Sequence, residues 1–136
     1  MLVAPVQKAN WTVLVLLNGN NDLEANVTRD LVELEQVGSS PSVRLVAQLT
    51  RGPQDLVHKR EEKPRPSKLD GDWEGTRRYE VARAPGTGRK RTLESTVLSQ
   101  HDNQDHGQPS TLSDFLRWGM ERYPAKRYLV VVGDHG

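Results

Sequence analysis

"WTVLVLLNGNND", residues 11–22, decides the fold. From Trp11 to Leu17 it is nearly continuous apolar and β-branched sequence, the pattern of a strand covered on both faces. Asn18, Gly19, Asn20, Asn21 and Asp22 then stop it, since all favour turns, and Asn21 or Asp22 can cap the helix that follows. In that helix Leu23, Val27, Leu31, Leu34 and Val37 recur at three- and four-residue steps on one face. Glu24, Arg29, Asp30, Glu33 and Glu35 take the others, and Gly38 closes it. "VRLVAQLTR" (43–51) reads as a second apolar strand. Residues 11–51 are thus a strand-helix-strand unit with parallel strands and a right-handed crossover, the mark of an α/β fold.

Working outward, "HKREEKPRPSKLDGD" (58–72) reads as a charged, solvated loop. "WEGTRRYEVAR" (73–83) reads as a short strand or hairpin at a sheet margin with Gly75 near the bend, and "APGTGRKRT" (84–92) as an exposed loop. The polar "SQHDNQDHGQP" (99–109) connects to a helix that Ser110 or Thr111 can cap. Leu112, Phe115, Leu116 and Met120 form its apolar stripe, and Pro124 ends it. "RYLVVV" (127–132) reads as a third buried strand, for a parallel order 2-1-3 with a marginal hairpin. No internal repeat interrupts this reading.

The chain has 136 residues and 35% hydrophobic content, enough for one modest core. The expected division is an N-terminal extension, residues 1–10, and one domain, residues 11–136. Lys and Arg number 19 against 18 Asp and Glu, so net charge supplies no reason to expect a nucleic-acid or membrane partner. There is no cysteine, which excludes disulfides, thiolate metal sites and a cysteine nucleophile supplied by these residues. No basic leader is visible at the start and no apolar run approaches bilayer length, so a soluble chain is expected.

In open α/β sheets, ligands bind beyond the carboxyl ends of the strands. Two polar clusters sit at such ends: Asn18 to Asp22, and Asp134-His135-Gly136. If the first and third strands are neighbours, both clusters face one crevice. An imidazole flanked by Asp134 and Gly136, just past three valines, gains nothing from packing. Asp134 could orient it, but adjacent strand residues commonly point to opposite faces, so Asp134 reads first as a structural neighbour. His101 and His106, with Asp102 and Asp105, have metal-ligand chemistry but no rigid spacing, and read as a solvated connection, as does His58. "GTGRKRT" lacks the glycine-lysine spacing of a phosphate loop and reads as a basic surface loop, a candidate site of self-processing. Trp11, Trp73 and Trp118 read as core or rim packing.

The ordered set "WTVLVLLNGNNDLE", "ELEQVGSS", "VRLVAQLTR", "GTRRYEV" and "STLSDFLRWGMERYPAKRYLVVVGDHG" resembles the N-terminal part of clostripain-like cysteine peptidases. The resemblance implies a caspase-like three-layer sandwich with a mostly parallel sheet, of which these residues form the N-terminal, histidine-bearing part. It implies that His135 belongs to a catalytic Cys-His dyad and that Gly136 completes the family's His-Gly pair. Having no side chain, Gly136 would let a peptide approach, and its N–H could stabilise an oxyanion. The family's cysteine and the acidic residue that selects Arg or Lys follow the next sheet strand, so this chain alone is expected to be inactive.

The implied partners are a peptide or protein substrate and a downstream Cys-bearing segment or heavy chain, since family precursors are often cut into light and heavy chains. Calcium is a cofactor by family analogy only, and the implied setting is bacterial, cytoplasmic or secreted. Rival readings are a non-catalytic caspase-like binding module or decayed remnant, and a small hydrolase or metal-dependent enzyme using Asp134 and His135. An uncovered "YLVVV" strand further predicts poor solubility or dimerisation.

Overall fold

The computed structural model describes residues 8–53, 69–86 and 92–135. The segment from His58 to Lys68, the heart of the basic loop at 87–91, most of the N-terminal extension and Gly136 lie outside them. The elements run β1 (Ala9–Gly19), α1 (Glu24–Leu34), β2 (Val43–Arg51), β3 (Gly75–Glu80), β4 (Thr96–His101), α2 (Pro109–Arg122) and β5 (Ala125–Gly133). They form one five-stranded sheet in the order β4-β3-β2-β1-β5. β1 pairs in parallel with both β2 and β5, as the 2-1-3 order requires. β3 and β4 extend the β2 side as an antiparallel hairpin.

β1 reads as continuously apolar because each of its faces meets a helix. Val15 and Leu17 pack with Val27 and Leu31 of α1 and with Leu45, Ala47, Leu49, Tyr79 and Val81. Leu14 and Leu16 point the other way, onto Val46 and Phe115, with Leu112, Leu116 and Trp118 of α2 closing over them. The result is three layers, helix on sheet on helix. Gly119 lets α2 sit directly on β1, since a Cβ there would lie 2.3 Å from the Leu14 side chain. Gly38 adopts φ +64° and presses against the Arg83 backbone, a left-handed position that only glycine fills without strain.

Several local expectations are corrected. Of the short strand or hairpin expected within residues 73–83, the strand is what forms: β3 turns back only at β4, and Gly75 opens β3 paired with Arg51 rather than marking a bend. Ser99, Gln100 and His101 are strand residues, not connection; their polarity reflects an edge strand, not a loop. β1 begins at Ala9, two residues inside the expected extension. α1 ends at Leu34, leaving Val37 71% exposed in the following turn. α2 starts with Pro109 itself and no side chain caps it, while Met120 falls off the packed stripe.

Two acids placed on polar helix faces, Glu24 and Glu35, are fully buried. Each finds partners inside. Glu24 Oε1 accepts from Arg51 Nε at 2.6 Å and Thr28 Oγ1 at 3.1 Å, and the Arg51 guanidinium stacks on Trp73, 4.8 Å from its centroid. Glu35 Oε1 accepts from Glu94 N, Ser95 N and Ser95 Oγ at 2.9, 2.8 and 2.6 Å. Buried charge is tolerated only where such partners exist, and these partners lie 27 and 60 residues away, beyond the reach of helical periodicity.

β5 lies at the sheet edge, as the 2-1-3 order and the expected uncovered strand require, but its side chains are not buried as a third buried strand would have them. Leu129, Val130, Val131 and Val132 are 49%, 42%, 42% and 55% exposed. Their apolar character is that of an interior strand, yet among the described residues only β1 lies beside it.

Candidate functional site

The parallel register of β1 and β5 pairs Leu17 with Gly133. The residues that follow, Asn18 and Asp134, therefore meet at the carboxyl end of the sheet. Gly133 permits this approach: a Cβ there would lie 2.8 Å from the Leu17 side chain. The two polar clusters do share one crevice, and they are bonded across it.

Asn18 and Asn21 each do two things with one amide. The carbonyl oxygens accept from backbone N–H groups two residues on, Asn20 N at 3.1 Å and Leu23 N at 2.9 Å, fixing the turn into α1. This directs both NH2 groups at Asp134: Asn18 Nδ2 donates to Oδ2 at 2.7 Å, Asn21 Nδ2 to Oδ1 at 3.0 Å. The backbone N–H of His135 donates to the same Oδ1 at 2.7 Å. Partial burial pushes the Asp134 carboxyl up, but the bonds from Asn18, the His135 backbone and Asn21, with the nearby His106, outweigh it and hold the group below its ordinary 3.8. Asp134 is thus a clamp joining the ends of β1 and β5. It contacts the backbone of His135 rather than the ring.

The ring turns to a different acid. His135 Nε2 lies 2.6 Å from Asp22 Oδ1, in an open setting where the two side chains are 55% and 59% exposed. Asn21 or Asp22 was expected to cap α1, but Leu23 stands at the cap position with no side-chain cap bond, and the Asn21 side chain accepts the Leu23 N–H. The available signal for Asp22 was its place in the first strand-to-helix turn, facing the same sheet edge as His135.

His106 is a second histidine that departs from the expected solvated connection. It is partly buried, with Nε2 2.9 Å from Thr50 Oγ1, and Thr50 in turn bonds Thr76 at 2.8 Å across β2 and β3. Burial lowers its pKa below 6.5, partly opposed by the charges of Asp134 and Asp105. His101 and Asp102 stay exposed at the far end of β4. The structure therefore separates the four residues weighed as metal ligands, and among the described residues no group of three or more His, Asp or Glu could hold an ion. Among the same residues no helix is long and apolar enough to cross a membrane.

What the crevice presents is an imidazole at the carboxyl end of parallel strands, held from the loop after β1 and backed by a carboxylate. That arrangement suits proton transfer to a group supplied from outside.

No family model matches the chain. In sequence it is 24% identical over 129 residues to clostripain of Hathewaya histolytica; the match takes in 92% of this chain but 23% of that protein. The chain thus spans about a quarter of the length of the curated relative it matches. Among solved structures, a clostripain from Bacteroides thetaiotaomicron in complex with the peptide inhibitor BTN-VLTK-AOMK superposes with a TM-score of 0.64 at 16% identity. That superposition covers 96% of this chain and 93% of the matched one. A secreted C11 cysteine protease of the same organism, iotapain, gives 0.64 at 16% identity over 96% of this chain and 31% of its own. A cysteine protease of B. fragilis gives 0.59 at 15%, covering 93% of this chain and 89% of its own. At such identities the structural likeness establishes a common fold. In sequence over most of its length, and in its caspase-like three-layer architecture, this chain is similar to the clostripain-like cysteine peptidases.

Proposed function

We propose that the chain is the histidine-bearing part of a clostripain-like cysteine endopeptidase that hydrolyses peptide bonds after Arg or Lys, with its cysteine supplied from outside these 136 residues. The observation that carries this reading is the placement of His135: at the carboxyl edge of the sheet, after β5, and tied through Asp134 and Asp22 to the turn after β1.

In this reading the imidazole promotes the thiolate form of the cysteine, which attacks the scissile carbonyl carbon. As the tetrahedral intermediate collapses, the C–N bond breaks and the imidazolium delivers its proton to the departing amine. Water, deprotonated by the same imidazole, then hydrolyses the thioester and regenerates the thiol. Gly136, outside the described residues, would admit the peptide and offer its N–H to the oxyanion.

β5 supports the same reading. Four consecutive large apolar residues with a pairing edge that no described residue covers suit a strand that continues the sheet outward, and the strand preceding the cysteine is the fitting partner. Cleavage after basic residues draws on the related Bacteroides clostripain, whose inhibitor peptide ends in lysine.

The test joins this chain to its Cys-bearing remainder and compares peptides carrying Arg, Lys, Glu or Leu before the scissile bond. Turnover confined to Arg and Lys, abolished by thiol alkylation, is expected. Turnover insensitive to alkylation would refute the cysteine mechanism, and equal turnover of the Glu or Leu peptides would refute the specificity.

A further inference from the structure

From the contact between His135 and Asp22 we infer that Asp22 is the positioning residue for the imidazole and that Nδ1, not Nε2, is the nitrogen that exchanges protons with the reacting groups. The catalytic part of this inference rests on the peptidase reading; the assignment of the ring does not.

The argument is one of donors and acceptors. An ionised carboxylate can only accept, so a 2.6 Å contact between Asp22 Oδ1 and His135 Nε2 requires the proton to sit on Nε2. The neutral ring then carries its lone pair on Nδ1, which makes no hydrogen bond to the described residues. Only this nitrogen can take a proton from a thiol and return it to an amine while the other stays tethered.

Asp22 is placed to remain an acceptor. It stands just before α1, at the positive end of the helix dipole, where negative charge is favoured. The Asn21 turn, bonded to Leu23 N, fixes the backbone on which it is carried. Asp134, the nearer acid in sequence, receives Asn18, Asn21 and the His135 N–H on its oxygens, while the ring contacts Asp22. The division of labour is therefore complete: Asp134 holds the backbone of His135 and Asp22 holds its ring. When the ring becomes an imidazolium in mid-reaction, the same carboxylate stabilises it as an ion pair.

Two measurements test this separately. The first uses the chain itself with 15N-labelled histidine, at a pH where imidazoles are neutral, with the His135 resonances assigned from their loss in His135→Gln. Long-range proton–nitrogen correlations should show His135 more strongly in the Nε2–H form than the exposed His101, and Asp22→Ala should return it to the His101 ratio. An unchanged ratio in Asp22→Ala overturns the assignment, whatever the protein catalyses.

The second uses the enzyme completed with its cysteine. Asp22→Ala should lower kcat by about tenfold with KM changed by less than about twofold, as for an orienting group outside the substrate contacts. Asp22→Asn, which keeps an acceptor oxygen but no charge, should fall between. Equal kcat in wild type and Asp22→Ala overturns the positioning role. So does a loss in Asp22→Ala that Asn does not partly rescue while both variants keep the wild-type urea midpoint. If instead His135→Ala is as active as wild type, the peptidase reading fails while the nitrogen measurement still decides the ring.

Discussion

Removing Asp134 should unfasten β5 from β1, and the structure allows the size of the effect to be worked out. Three hydrogen bonds end on this carboxylate, from Asn18 Nδ2, Asn21 Nδ2 and His135 N. All three are solvent-exposed, so each belongs on the scale of surface charge interactions, about 0.2–1 kcal/mol, rather than that of buried ones. Asp134→Ala should therefore cost roughly 1–2 kcal/mol. Asn18→Ala removes one of the bonds together with a turn contact to Asn20, for roughly 1 kcal/mol. Because they share a bond, the double variant should be less destabilised than the sum by about 0.5 kcal/mol or more.

Urea denaturation of dilute chain at pH 7, with the slope of the transition unchanged, measures all three values. The sign of the pH dependence follows from the lowered Asp134 pKa. The contribution is full above the ordinary value of 3.8 and is lost as pH falls through the lower folded value, so the non-additivity should vanish in strong acid. Strict additivity at pH 7 would mean that Asn18 and Asp134 do not interact, and the clamp would be refuted.

Glu35→Ala strands the buried N–H and hydroxyl of Ser95 and should cost about 3 kcal/mol by urea titration, with Glu35→Gln costing less because an acceptor oxygen remains. A loss below about 1 kcal/mol for the alanine variant would contradict the burial of that carboxylate. His106, lowered by burial, takes up a proton in the unfolded chain before it does so in the folded one. Its neutral form thus stabilises fully above pH 6.5 and progressively less as pH falls toward its lower folded value, and His106→Gln should flatten the stability profile through that window. Exposed β5 should make the chain associate through its edge, and Val130→Lys should reduce this in sedimentation; a monodisperse wild-type monomer at high concentration would contradict it.

The three-layer core was legible because its signals are local. A seven-residue apolar run cannot be half-solvated, and turn-forming residues at its end leave only a helix crossover to the next strand. The meeting of the two polar clusters was legible for the same reason, once β1 and β5 were taken as neighbours. What remained hidden depended on distant partners. Glu24 and Glu35 look like surface acids until Arg51 and Ser95 are brought to them by the sheet. β4 looks like a loop because an edge strand need not be apolar. His106 looked solvated because nothing near it in sequence announces Thr50, and Asp22 read, alongside Asn21, as a candidate cap because capping and ring-holding draw on the same residue type. β5 misled in the opposite sense: its valines report the burial expected of an interior strand, while its exposure reports that nothing among the described residues covers it.

The central claim, that His135 is the acid-base group of a cysteine peptidase, is tested most directly by single-turnover kinetics on the enzyme completed with its cysteine-bearing remainder. With an Arg or Lys ester and the matching amide, His135→Ala should lower amide cleavage by about 10²- to 10⁴-fold, the usual worth of a positioned proton-transfer group. It should lower ester cleavage less, because an alkoxide departs with less need of the proton. Equal rates for wild type and His135→Ala on the amide would contradict the account.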